Sequence, residues 1–146
     1  MTDAHDRQLQ RFLTSLALCR PLNRDIIFDA LAECGIDQVT VAFDGHDNRT
    51  SLSSRARRGS IDLVRVPDVT VDFYAVVSVA EYPIAAHRPL ADAIDGFAYD
   101  ALSEFHIGWQ DGPGARGTVR LDVLQRRASM TFTARQPGTH PVTTNL

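Results

Sequence analysis

Apolar residues fall into two periodicities along the chain. Leu9, Phe12, Leu13 and Leu16 recur at helical spacing, with Asp6, Arg7, Gln10 and Arg11 on the other side. Pro21 predicts the end of that helix, and Asn23 fits the N-cap of a second, whose stripe is Ile27, Leu31 and Cys34 and whose stop is Gly35. Val39, Val41 and Phe43 alternate with polar or small residues, which predicts a strand over 38–43, and Asp44-Gly45 reads as a turn. The stretch 46–60 is nearly devoid of apolar side chains and predicts a mobile loop. Residues 61–66 form a short strand. Val69, Val71, Phe73, Ala75, Val77 and Val79 give the clearest strand pattern.

Pro83 breaks that pattern, and Pro89 suits the first position of a third helix carrying Leu90, Ile94, Phe97, Ala101, Leu102 and Phe105. A glycine-rich connection over 111–117 leads to two more strands, around Val119 to Val123 and Met130 to Ala134. The tail 136–146, with two prolines, is expected to be loosely held. The order ααβββαββ with short links predicts an α+β fold: a single antiparallel sheet of about five strands with helices packed on one face. One domain, 1–146, with its core over about 6–135, is the expected organisation.

Composition narrows the function classes. The chain has 146 residues, 44% of them hydrophobic, and a net charge of −3, so neither a mostly disordered chain nor a generally basic nucleic-acid binder is indicated. It contains no lysine: all 15 basic residues are arginine. Schiff-base chemistry is therefore excluded, and anions would meet guanidinium forks or backbone amides. Cys19 and Cys34 sit in apolar helical stripes and read as reduced thiols. No signal peptide or membrane-length apolar run is evident, so the expected location is the cytoplasm.

Four places carry candidate chemistry. Asp44, His46 and Asp47 follow a strand and offer oxygen and imidazole donors for a divalent cation. The alternative is an ordinary turn. His106, at the end of the third helix, suits a helix cap or, beside Asp44 and Asp111, a general base or metal ligand. Trp109 would wall a pocket, anchor an interface or close the core. Arg49, Arg55, Arg57 and Arg58 form an arginine cluster in the polar stretch, suited to phosphates or to an acidic protein surface. The segment Gly112 to Gly117 is neither a P-loop nor a dinucleotide fingerprint. No nucleophile elbow is present, and no cofactor is implied.

The stretch Phe28-Asp29-Ala30-Leu31-Ala32 with Gly35-Ile36, the strand into Phe43-Asp44-Gly45, the helix around Ala98-Tyr99-Asp100 and the His106-x-Gly108-Trp109 motif together resemble a small proteobacterial family of unknown function. The resemblance spans about 22–135 and implies an accessory protein of plasmids or integrative elements. On this reading the chain is expected to be an interaction module for a host or element protein, with an anti-defence role that blunts restriction or CRISPR interference. The alternative is a metal-dependent hydrolase using Asp44, His46, Asp47 and His106. Nucleic-acid binding through Arg49–Arg58 ranks below both, given the acidic balance. No membrane partner is expected, and an exposed sheet edge offers a route to a homodimer.

Overall fold

The computed structural model describes residues 3–63, 65–76 and 83–146. The chain runs α1 (Asp3–Glu33), β1 (Gln38–His46), β2 (Arg49–Arg58), β3 (Ile61–Leu63), β4 (Thr70–Ala75), β5 (Ile84–Pro89), α2 (Leu90–Phe105), β6 (Ala115–Asp122), β7 (Arg127–Ala134) and β8 (Val142–Asn145). The fold is α+β, as expected. Among the described residues there are two helices instead of three, and the main antiparallel sheet has six strands in the order β3-β2-β1-β6-β7-β8. A separate two-stranded sheet pairs β4 with β5.

Pro21 does not end α1; it lies inside it. A proline in a helix interior costs roughly 3 kcal/mol, so tertiary contacts must offset it. Leu16, Cys19, Asn23, Ile27 and Leu31 form one buried stripe running past the proline. Arg20 forms an ion pair with Glu104 of α2. Asn23 is not an N-cap. It is buried at 2% exposure, its amide donates to the Tyr74 carbonyl and its oxygen accepts from the Tyr74 N–H. That side chain stands in for a missing neighbour strand along β4. Gly35 ends the helix as the sequence predicts, with Gly35 and Ile36 N–H donating to the Ala32 and Leu31 carbonyls.

The stretch 46–60 is not a loop. Its residues Arg49–Arg58 form β2, paired with β1 from His46↔Arg49 to Gln38↔Arg57. The reversal is at Asp47-Asn48, where both residues have positive φ (49° and 62°), as a two-residue hairpin of the primed type requires. Asp44-Gly45 therefore lies inside the strand. Intrinsic propensity argues against Ser and Arg here. Pairing on both edges, with β1 and β3, and Ala56 in the core outweigh it.

The tail is also ordered. Its β8 pairs with β7, Leu146 is buried, and Arg24 donates to the Leu146 carbonyl. The long strand expected over 69–79 appears as β4; Val77 to Val79 lie outside the described residues, as does Val64 of the strand expected over 61–66. Pro83 precedes another strand, β5, and Pro89 is the N-cap of α2. Cys19 and Cys34 are free thiols, as expected.

The core lies between the two helices and one face of the large sheet. It joins Ile27, Phe28 and Leu31 of α1 and Ile94, Phe97 and Leu102 of α2 to Val39, Val41, Val119, Leu121 and Met130 of the strands. Among the described residues no helix is long and apolar enough to cross a membrane.

Candidate functional site

Strand geometry decides which side chains share a face. In an antiparallel pair, residues directly opposite each other point the same way, and neighbours along a strand alternate. Val39, Val41, Phe43 and Gly45 of β1 are buried against the helices, so Thr40, Ala42, Asp44 and His46 point away from them. Across this open face, His46, Thr40 and Gln38 oppose Arg49, Arg55 and Arg57 of β2. On the other flank, Asp44 and Thr40 oppose Arg116 and Arg120 of β6, and Asp122 of β6 opposes Arg127 of β7. Arg135, just past β7, joins them through an ion pair with Asp44 at 2.6 Å.

The face thus carries arginines along two lines, one on β2 and one on β6 and β7. Between them runs β1, whose only acidic side chain here is Asp44, two residues before the His46 imidazole. Seven arginines face three aspartates: Asp44, Asp122 and Asp62. Asp62 pairs with Arg57 at 3.4 Å. The remaining positions are hydroxyls and small residues, among them Ser51, Ser53, Thr118, Thr131 and Thr133. A hollow of about 390 Å³ opens over Ala42, bounded by Ser51, Ser53, Arg116, Thr118 and Thr133. The guanidinium of Arg135 holds the Asp44 carboxyl below the usual carboxylate range, aided by His46 and Arg116.

His106 and Trp109 lie on the other side of the sheet. The His106 ring stacks on Phe132 at 3.7 Å and 4°, and Phe132 stacks on Phe43. Trp109 meets Phe43 and Tyr99 edge-on and is 5% exposed. A Cβ at Gly45 would lie 2.4 Å from the Trp109 ring, so the indole packs directly on the strand backbone. The same holds at Gly117, where a Cβ would lie 2.7 Å from the Phe43 ring. Trp109 therefore closes the core. Burial lowers the His106 pKa, and its Nε2 is enclosed without a hydrogen-bond partner among the described residues.

The sheet thus separates Asp44 and His46 from His106, while Asp47 sits in the hairpin turn. The four donors of the metal reading do not converge. Among the described residues no three His, Cys, Asp or Glu side chains are grouped to hold a metal ion. Arg58 also departs from its cluster: it points towards the helices and donates to the Cys34 carbonyl at the end of α1. Arg49, Arg55 and Arg57 stay together and gain partners that sequence reasoning missed, namely Arg116, Arg120, Arg127 and Arg135. Their alternation with Val119 and Leu121 was readable, but only the strand register shows that they share a face with β2.

A second cavity, of about 670 Å³, lies beside β4, β5 and α2 and is lined by Phe73, His87, Arg88, Asp92, Asp95 and Asp100 among others. Burial pushes the Asp100 carboxyl up to about 6, against the opposing pull of Arg88. Burial and then Asp92 raise Asp95. These acids fall outside the apolar stripe of α2, and spacing along the chain does not signal the cleft.

The model of a family of unknown function, DUF6878, matches residues 19–145. The chain belongs to that family. No curated protein and no solved structure matches it. The span matched by DUF6878 takes in both arginine-bearing flanks of the open face and the Trp109 cluster beneath it.

Proposed function

We propose that this DUF6878 chain is an interaction module that engages a polyanionic partner through the open face of its six-stranded sheet. One observation carries the reading: seven of the 15 arginines lie on one uncovered face of a chain whose net charge is −3. That leaves eight arginines and fifteen acids for the rest of the chain, so the charge is strongly asymmetric. Such a distribution steers an anionic surface to one side of the molecule. The sequence resemblance adds a setting, an accessory role in a mobile genetic element acting on a host or element component. The hydrolase reading gains no support, because its ligands stand on opposite faces of the sheet.

Retention on an immobilised sulfated polysaccharide tests the reading. The protein should bind at neutral pH despite its negative charge and elute with added salt. Arg55→Glu with Arg120→Glu should abolish retention and leave the melting temperature unchanged, since both side chains are exposed. Equal retention of parent and variant would remove the open face from the proposal.

A further inference from the structure

We infer that the polyanion is a nucleic-acid duplex, gripped through its phosphates by the two arginine lines of the open face. This rests on the preceding proposal and names the partner class. Two features of the face favour a duplex over an acidic protein. First, among the described residues its outward strand side chains are Arg, Ser, Thr, Gln, Asp, Asn, His and Ala, with no large aliphatic side chain and no Phe, Tyr or Trp. Stable protein interfaces centre on desolvated aromatic or aliphatic anchors, and none is available here. A phosphate backbone needs no such anchor; it takes guanidinium forks and hydroxyl donors, which this face supplies.

Second, the charges are spaced for two strands. Arg49, Arg55 and Arg57 lie on β2, and Arg116 and Arg120 lie on β6, with β1 between them. At about 4.8 Å per strand, β2 stands roughly 10 Å from β6 and 14 Å from β7. The B-form major groove, edged by a phosphate strand on each side, is about 12 Å wide. The intervening strand presents Thr40, Ala42 and Asp44, and Asp44 is paired with Arg135, which leaves Arg49, Arg55, Arg116 and Arg120 as the arginines facing the phosphates on the two sides. The same lack of aromatics argues against a single strand, whose binding draws on base stacking. Contact through phosphates alone implies little dependence on base sequence.

The test is fluorescence anisotropy of the full chain with a labelled duplex of about 24 base pairs, as DNA and as RNA, across a salt series. A single strand of the same length and a labelled polyglutamate are the comparison probes. With about five or six phosphates neutralised, the log–log salt slope should be near −5, a loss of about a thousandfold between roughly 50 and 200 mM salt. Arg55→Glu with Arg120→Glu should weaken duplex binding at least tenfold, and the milder Arg55→Gln with Arg120→Gln should flatten the slope by about two. Arg11→Glu, on α1, should change neither.

Polyglutamate bound as tightly as duplex would overturn this inference and leave the polyanion reading standing. Single strand bound more tightly than duplex would overturn it likewise. No binding of any probe at low salt would overturn both. DNA and RNA duplexes bound alike, or DNA preferred, support it, whereas RNA preferred would overturn it, because the A-form major groove is too narrow for the two arginine lines.

Discussion

A methyl group at position 45 would press into the Trp109 ring, and that single contact explains why glycine stands at a paired position near the end of β1. Gly45→Ala should cost about 1–3 kcal/mol in urea unfolding, as overpacking does elsewhere, and a cost near zero would mean the indole moves freely. Asp100 is a residue of the opposite kind, charged at a cost. Its carboxyl is raised to about 6 by burial, so its favourable contribution is complete below about pH 4 and is lost as pH rises through 6. Asp100→Asn should therefore stabilise the chain by about 2 kcal/mol at pH 8, with the gain vanishing near pH 4 in thermal melts. For His106 the sign reverses. Burial lowers its pKa, so its contribution is present above about pH 6.5 and is lost as pH falls. The melting temperature of His106→Phe should pull ahead of the parent's progressively as the pH is lowered below that value.

At the scale of elements, α1 is the informative case. Its buried stripe Leu16, Cys19, Asn23, Ile27, Leu31 keeps helical spacing straight through Pro21. The stripe was legible as spacing, but Asn23 interrupts it chemically, and a buried asparagine reads as a cap until its partner, the Tyr74 backbone, is known. Asn23→Ala strands that backbone N–H and carbonyl, and should cost about 2–4 kcal/mol in denaturant unfolding. β1, β4, β6, β7 and α2 were readable because their apolar residues keep a strict period. β2 and β8 were not, because nearly every residue that makes them strands is a neighbour's residue. In β2 only Leu52 and Ala56 mark the inner face, and the turn chemistry sat two residues beyond the Asp-Gly pair that looked like a turn.

At the scale of the whole molecule, the sheet both joins and divides. Its register gathers arginines from sequence positions 49 to 135 onto one surface, and its thickness parts Asp44 from His106. Residues singled out one at a time from the sequence were thus sorted by the fold: Arg49, Arg55 and Arg57 to the open face, Trp109 to the core, His106 to a half-buried stack on Phe132, Arg58 to a helix end. Charge totals could not reveal this, because an acidic sum hides a basic face. On the function proposed above, the partner sits on this face. Backbone amide chemical shifts of the labelled protein, followed as a short linear polyphosphate is added, test it most directly. Saturable shifts should concentrate at Thr40, Ser53, Arg55, Thr118, Arg120 and Thr131 and shrink with added salt. Shifts concentrated on α2 and β5 instead, or none at low salt, would contradict it.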